Sequence, residues 1–187
     1  AAIWCSRCNL SPSLQALFSA GPLRQAEATG RKRLMVGGKV NRFIPNPTFD
    51  PIARPGCLDD YFRGKVSVTD MRDAFGELES LSDRPEYRNR DAKLDLLTKQ
   101  NLDGCLLFPT LGVGMESALE NDLPALQAAF SAFNRWLADD WGFSYKDRLF
   151  AAPYITLSDV QHAISELEFA IDNNVRVINL RASAVTT

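Results

Sequence analysis

Residues 104–112 read Gly-Cys-Leu-Leu-Phe-Pro-Thr-Leu-Gly, and this stretch decides the fold. The apolar run from Cys105 to Phe108 is too short for a free-standing helix and ends at Pro109, which is typical of a strand buried on both faces. A helical pattern that ends at Asn101 precedes this strand, and a second helical pattern follows it over residues 116–141. Helix, strand and helix therefore alternate here.

The same pattern occurs again further along the chain. Residues 148–153 form a second short apolar run that a proline closes. Ser158-Asp159 then opens a helix that ends at Asn173-Asn174, and residues 175–181 form a third strand rich in β-branched side chains. Strands separated by helices, with no hairpin signal between them, predict a parallel sheet with right-handed crossovers. The predicted fold class is α/β.

Composition limits the functional classes. The chain has 187 residues, of which 45% are hydrophobic and 24% charged, as in a soluble globular domain. A formal net charge of -2 argues against nucleic acid and anionic membranes as partners, since both favour a concentrated positive face. No apolar run reaches membrane-spanning length. Four irregularly spaced cysteines favour reduced thiols and a cytoplasmic location.

The N-terminal region, residues 1–30, differs from the rest of the chain. It contains no acidic residue before Glu27 and is rich in Ser, Ala, Leu and Pro, so we assign it no fold and expect a poorly ordered terminus. Cys5 and Cys8 form a single CxxC without a second pair or a strand-to-helix setting. They are interpreted as free thiols.

Residues 31–187 are expected to form the folded unit. Gly37-Gly38 between two apolar stretches predicts a hairpin over residues 33–44. Residues 45–66 form a proline-rich loop, which either covers an active site or packs its apolar side chains onto a helix layer. A helical turn is expected at 59–65, and a helix within residues 68–81. The βα units occupy residues 86–187.

Residues with the usual catalytic chemistry are few. The one histidine, His162, lies within a predicted helix and is interpreted as a surface or boundary residue. Asp139 and Asp140 are adjacent in a helix and are expected to be solvated, not paired for catalysis. Gly112-Val113-Gly114 resembles part of a phosphate-binding turn, but Ser117 stands where a dinucleotide motif requires its third glycine. A flexible turn is the preferred interpretation.

The carboxyl ends of parallel strands are where sites assemble in α/β folds. That rule predicts five substrate-binding residues, which are Phe108, Thr110, Tyr154, Asn179 and Arg181. The Arg181 guanidinium, at the end of an apolar strand, could bind a carboxylate through two hydrogen bonds. It could equally be a structural residue at the edge of the sheet. No catalytic residue and no metal ligand is predicted.

Several stretches between residues 31 and 182 resemble bacterial proteins of the amidohydrolase superfamily. The branch in question contains metal-dependent hydrolases and aromatic or aminocarboxymuconate decarboxylases. The resemblance rests on the following stretches: Val36-Gly37-Gly38-Lys39, Phe43-Ile44-Pro45-Asn46-Pro47-Thr48-Phe49-Asp50-Pro51, Arg54-Pro55-Gly56, Leu106-Leu107-Phe108-Pro109-Thr110-Leu111-Gly112, Phe133-Asn134-Arg135-Trp136-Leu137, Asp140-Trp141-Gly142-Phe143 and Asp147-Arg148. None of them is a catalytic motif of the family.

The resemblance implies a distorted (β/α)8 barrel that holds a divalent metal, commonly zinc, and acts on a small-molecule substrate. The family's ligands are an acid-x-His or His-x-His pair on the first strand, later histidines and a final aspartate. Residues 1–10, where the first pair should stand, contain no histidine. A complete barrel also needs about 250 residues. We therefore expect the N-terminal half of such a barrel.

Two functional hypotheses follow from this resemblance. In the first, the chain is a fragment of a metal-dependent hydrolase or decarboxylase for a small carboxylated or cyclic substrate, itself inactive and without a bound cofactor. In the second, it is a non-catalytic α/β fragment or binding module. On the half-barrel hypothesis, residues 175–180 are expected to form an exposed sheet edge through which the chain self-associates, unless residues 1–4 fold back and cover it.

Overall fold

The computed structural model describes residues 23–28, 31–36, 39–40, 52–54, 56–65 and 73–182. The described strands are β1 (Leu23–Ala28), β2 (Arg31–Val36), β3 (Lys39–Val40), β4 (Ile52–Ala53), β5 (Leu78–Glu79), β6 (Cys105–Leu107) and β7 (Leu149–Ala151). The α-helices are α1 (Asp59–Phe62), α2 (Arg90–Lys99), α3 (Thr110–Ala118), α4 (Leu123–Asp140) and α5 (Val160–Asp172). Short 3-10 turns occupy Asp73–Phe75, Leu81–Asp83 and Pro85–Tyr87.

The predicted parallel sheet is present, and it is small. β6 and β7 pair in parallel, with Cys105 opposite Leu149 and Leu107 opposite Ala151. The helices α3 and α4 lie between these strands in the chain, as the alternating pattern predicted. The α/β fold class is therefore confirmed for the described residues.

The predicted third strand is wrong in extent. Residues 175–181 contribute one parallel bridge, between Tyr154 and Asn179. Two backbone hydrogen bonds hold it, from Ile155 N to Asn179 O at 3.0 Å and from Asn179 N to Pro153 O at 2.9 Å. The direction of the segment agrees with the prediction. β-Branched side chains favour a strand, but only one residue of this segment forms a β-bridge with another part of the chain.

β6 is not buried on both faces, which corrects a second expectation. Leu107 is 5% exposed and faces the core, whereas Leu106 is 51% exposed. Phe108, directly after the strand, is also exposed. An apolar run identifies a strand but does not determine how many of its faces are covered.

The helices after β6 also differ from the prediction. Gly112-Val113-Gly114 is not a flexible turn, because α3 runs through it from Thr110. The single helix predicted over residues 116–141 is interrupted before α4. The Asp122 side chain accepts a hydrogen bond from Ala125 N at 3.2 Å, and a proline follows in the first turn of α4. This is a standard helix start.

The other helices of the α/β part follow their capping residues. Asn89 Oδ1 accepts from Ala92 N at 2.9 Å and begins α2, and Asp159 Oδ1 accepts from His162 N at 2.9 Å and begins α5. Asn101 and Asn174, which the sequence placed just after these helices, adopt positive φ angles of 52° and 61°. Asparagine tolerates this conformation after a helix end better than most residues.

The N-terminal part forms a separate antiparallel sheet in the order β1-β2-β3. Part of the predicted hairpin is present, since Met35 pairs with Val40 and Val36 with Lys39, while residues 37–38 and 41–44 lie outside the described residues. β1 lies in the region to which the sequence assigned no fold, and it pairs with β2 along its whole length. The remainder of residues 1–30, including Cys5 and Cys8, lies outside the described residues.

The connecting region contains two further short strands. β4 and β5 pair antiparallel, and the expected helical turn is present as α1. The helix expected within residues 68–81 is wrong where the structure describes this stretch, because Asp73–Phe75 is a 3-10 turn and Leu78–Glu79 is a strand. None of the described helices is long and apolar enough to cross a membrane.

The main core lies between the parallel strands and the helices α3 and α4. Its largest fully buried side chains include Tyr154, Phe130, Phe133, Phe143 and Met115. The Tyr154 and Phe130 rings are stacked, with centroids 4.3 Å apart. This stack lies beside Gly112 of α3. A Cβ at Gly112 would stand 2.7 Å from Tyr154 Cδ2.

Replacing Gly112 with alanine should therefore destabilise the fold, although alanine normally favours a helix by about 1 kcal/mol. The added methyl group meets a fully buried ring, and overpacking of this kind costs about 1–3 kcal/mol. The measurement is the free energy of unfolding from urea denaturation. Ser117→Ala, at an exposed position of the same helix, is the control and should leave stability within about 0.5 kcal/mol of the original chain. Equal stability of Gly112→Ala and this control would contradict the close packing.

Candidate functional site

A buried polar cluster lies just beyond the carboxyl end of β7. Glu116 of α3 accepts a hydrogen bond from the Tyr154 hydroxyl at 2.8 Å and another from Thr156 Oγ1 at 2.6 Å. All three side chains belong to residues no more than 2% exposed. We call Glu116, Tyr154 and Thr156 the sheet-end cluster. It places a carboxylate where sites form in parallel α/β folds.

The electrostatics of the cluster determine what Tyr154 can do. Burial raises the pKa of the Tyr154 hydroxyl, and the hydrogen bond to Glu116 raises it further, while the charge of Arg181 opposes these effects. The net pKa is well above the ordinary value. Tyr154 therefore remains a neutral hydrogen-bond donor and cannot act as a phenolate base or nucleophile. The cluster can orient groups, but its tyrosine cannot abstract a proton.

The backbone of Tyr154 is held by a second set of polar side chains. Asn134 of α4 accepts from Tyr154 N at 2.9 Å and donates to Tyr154 O at 3.0 Å. The same amide nitrogen donates to Glu166 of α5 at 2.8 Å. Asn134 is fully buried, so these bonds satisfy groups that water cannot reach. One amide thus joins two helices to the end of β7.

Glu166 completes this helix-crossing network. Its carboxylate accepts hydrogen bonds from Ser131 at 2.7 Å and from Arg135, and it forms an ion pair with Arg135. The guanidinium of Arg135 also stacks 4.0 Å from the ring centroid of Phe169. Burial raises the pKa of Glu166, but the hydrogen bonds from Asn134, Ser131 and Arg135 outweigh burial and lower it overall. Glu166 is therefore a buried, paired carboxylate.

Ser131 and His162 are in contact, but they do not form a catalytic triad. Ser131 Oγ lies 3.3 Å from His162 Nε2 and 2.7 Å from Glu166 Oε1. In a triad the imidazole accepts the serine proton and the carboxylate orients the imidazole. Here the Ser131 hydroxyl donates its hydrogen bond to the carboxylate itself. The geometry is that of a structural network, and His162 is a half-buried residue at its boundary.

The predicted site residues are only partly brought together. Asn179 pairs with Tyr154 through the backbone, and the charge of Arg181 acts on the Tyr154 hydroxyl, so these three share one end of the sheet. Phe108 follows β6 and is 47% exposed. Thr110 is the first residue of α3. Tyr154, however, is a fully buried structural residue and not an open binding surface.

Four polar residues of the site were missed by the sequence reasoning: Glu116, Thr156, Asn134 and Glu166. Gly112 and Glu116 lie four residues apart on one face of α3, but reading Gly112 as a turn hid that spacing. Asn134 lies on the apolar face of α4, four residues after Phe130, and Glu166 lies midway between two buried alanines of α5. A polar residue on an apolar helix face signals a buried network.

The described residues do not fit the metal site of the amidohydrolase pattern. Among them, no group of three or more His, Cys, Asp or Glu side chains could hold a metal ion. The whole sequence contains one histidine, and that imidazole contacts Ser131 on the outer helices. A catalytic zinc site needs three protein ligands around one open position. The described residues therefore provide no ligand set through which a metal could take part in a reaction step.

A solved structure supports the family resemblance. The crystal structure of an amidohydrolase from Mycobacterium avium subsp. paratuberculosis K-10 matches this chain with a TM-score of 0.77 and 39% sequence identity. The match covers 87% of this chain and 42% of the amidohydrolase chain. No protein-family model and no curated protein matches the sequence.

The comparison shows that this chain is similar to an amidohydrolase in both fold and sequence. It supports the resemblance to the amidohydrolase superfamily that was noted for the stretches around Gly112 and Asn134. The chain spans less than half the length of the protein that it matches. The similarity therefore concerns a hydrolase-like segment, of which the sheet-end cluster and the helix-crossing network are parts.

The lowered pKa of Glu166 predicts a pH-dependent contribution to stability. A carboxyl group with a folded pKa below its unfolded value, about 4.3 for Glu, stabilises the fold above that pH and loses this effect as the pH falls. Glu166→Gln should therefore be less stable than the original chain at pH 7, and the difference should shrink below about pH 4.3. Urea denaturation at several pH values measures it.

The matched control is Glu168→Gln, an exposed carboxylate two residues further along α5. It should leave the pH dependence nearly unchanged, because that side chain is not in the network. A stability difference between Glu166→Gln and the original chain that stays constant from pH 7 to pH 3 would show that the carboxylate contributes no charge-dependent stability.

Proposed function

We propose that this chain is the N-terminal half of an amidohydrolase-like metal-dependent hydrolase or decarboxylase. One observation carries the proposal: 39% identity and a TM-score of 0.77 with 42% of an amidohydrolase chain. The small parallel sheet, with a helix before and after each strand, is compatible with part of a (β/α)8 barrel. The fold alone would not support a function, but identity at this level over most of the chain does.

The proposed substrate is a small carboxylated or cyclic molecule that binds at the carboxyl ends of β6 and β7. Arg181 lies at this end of the sheet and is partly exposed, so its guanidinium could pair with a substrate carboxylate. The exposed ring of Phe108 could pack against a cyclic substrate. In this proposal the sheet-end cluster does not react. It fixes the segment after β7, where Tyr154 forms a bridge with Asn179.

The proposed activity belongs to the whole protein and not to this chain alone. The family pattern implies a divalent metal, commonly zinc, and the described residues provide no set of ligands for it. We infer that the chain has no metal-dependent activity by itself. The free thiols of Cys57 and Cys105 suit a reducing compartment, which supports a cytoplasmic location.

The alternative is a non-catalytic α/β fragment or binding module. The missing metal ligands are compatible with it, but the amidohydrolase match favours the first proposal. The two proposals differ in what a longer reading frame should encode. The first expects strand ends that carry histidines beyond residues 1–187, whereas the second does not.

The metal content of the purified chain tests the proposal that this chain alone holds no catalytic metal. After incubation with excess zinc and removal of free metal, elemental analysis should find far less than one zinc per chain, because one imidazole cannot supply three ligands. Cys5→Ser with Cys8→Ser is the control for incidental thiol binding. One zinc per chain that persists in this control and is lost in His162→Ala would contradict the proposal.

We also propose that the chain self-associates through an exposed sheet edge. The edge expected at Val175–Leu180 forms one bridge among the described residues, so most of this segment has no strand partner there. An unpaired edge can pair with another copy. Light scattering should show a mass that rises with protein concentration. A monomer of constant mass up to high concentration would contradict it.

A further inference from the structure

α5 carries an apolar stripe on its exposed side. Val160, Ile164, Leu167 and Ile171 follow the spacing i, i+4, i+7 and i+11, and at about 100° per residue they lie within about 60° of one another around the helix. Their exposed fractions are 60%, 44%, 37% and 59%. We call these four side chains the α5 stripe. Four large aliphatic side chains at this spacing normally face a core.

The stripe is distinct from the face that α5 already uses. Ala163, Glu166 and Ala170 are buried, and Glu166 binds the α4 side chains Ser131, Asn134 and Arg135. By helical geometry this buried face is centred about 100° from the stripe. α5 therefore packs against α4 with one face and presents a second apolar face outward. A contiguous exposed apolar surface of this kind marks an interaction site.

The charges beside the stripe restrict its partner. α5 contains no Lys or Arg, and its three acidic residues are Glu166, Glu168 and Asp172. Glu166 is neutralised by its ion pair with Arg135. Glu168 and Asp172 are exposed, and they lie on the side of the stripe away from the buried face. The outer rim of the stripe is therefore acidic.

We propose that the α5 stripe binds an amphipathic helix whose apolar stripe is flanked by Lys or Arg. The apolar faces would bury one another, and the basic flank would meet Glu168 and Asp172. This inference rests on the proposed function in one respect. In the outer ring of helices of a barrel, α5 would have a second neighbour opposite α4, and the inference requires that the stripe stays open beside that neighbour.

The charge of α5 argues against two other occupants of the stripe, a second copy of this chain and an anionic membrane surface. A second copy docked antiparallel by a twofold axis would place its Glu168 and Asp172 on the same rim as those of the first copy, and like charges there oppose association. An anionic membrane surface attracts amphipathic helices with Lys or Arg flanks, and α5 has none. A helix with basic flanks satisfies both the apolar and the charged part of the surface.

The experiment uses two labelled 18-residue peptides with one shared leucine stripe, one flanked by lysines and the other by glutamates. Fluorescence anisotropy with the full chain measures their binding at low salt. The lysine peptide should bind roughly tenfold or more tightly than the glutamate peptide, and 0.5 M NaCl should reduce that preference. Ile164→Glu should weaken binding of the lysine peptide by roughly tenfold, because it places a charge in the apolar stripe.

Ser117→Glu, which adds the same charge at an exposed position of α3, is the matched control and should bind as the original chain does. Circular dichroism melting of both variants shows whether they fold. Equal binding of the two peptides, no binding of either, or binding that Ile164→Glu leaves unchanged would overturn the proposal. So would a dimer that Ile164→Glu converts to a monomer, since a second copy would then occupy the stripe.

The outcome is independent of the metal test. Peptide binding needs neither zinc nor activity, so the stripe can bind its helix in a chain that proves to hold zinc, which would contradict only the proposal that this chain alone holds no catalytic metal. Conversely, if the chain holds no zinc and binds neither peptide, that result would overturn only this inference.

Discussion

The fully buried amide of Asn134 pairs with both backbone groups of Tyr154 and with the carboxylate of Glu166. A strand end needs partners for its backbone groups once it leaves the ladder, because unpaired buried groups destabilise a fold by about 1–3 kcal/mol each. β7 ends at Ala151, and three residues later this side chain takes the place of a neighbouring strand on one side of Tyr154. Asn179 supplies the bridge on the other.

The rest of the α/β part depends on where that amide places Tyr154. With the Tyr154 backbone fixed, its ring stacks on Phe130, lies against Gly112 and directs its hydroxyl to Glu116. Glu166 fixes Asn134 in turn, and Arg135 balances the charge of Glu166. Three helices thus meet one strand end through a continuous set of hydrogen bonds. In such a network each partner depends on the others, so the loss of one is felt beyond its own contact.

The sequence predicted those parts of the fold that local signals determine. α2 follows from the helical pattern that ends at Asn101, and α5 follows from its start at Ser158-Asp159. The parallel pairing of β6 with β7 follows from two apolar runs with helices between them. It failed where the outcome depends on contacts distant in sequence. Gly112 suggests a turn in isolation, and only the ring of Tyr154 explains a glycine inside a helix. Tyr154 and Asn179 lie at one end of the sheet, as the rule on strand ends expects, but the polar network around Tyr154 was not predicted, because Glu116 and Thr156 meet across 40 positions.

Several polar side chains are buried and several large apolar side chains are exposed, which is the reverse of the usual arrangement in a domain that folds by itself. Glu116, Asn134 and Glu166 are buried and fully paired, whereas Leu106 and the α5 stripe are exposed. A buried polar network must be satisfied within the segment, since unpaired members would prevent folding. An exposed apolar face does not carry that penalty. It only lacks the stabilisation that burial would give, about 25 cal/mol for each Å² of apolar surface. Within the described residues the polar network is therefore complete, whereas the exposed apolar surfaces are not covered. Both exposed apolar surfaces are therefore compatible with further contacts, which for the α5 stripe is the proposed partner helix.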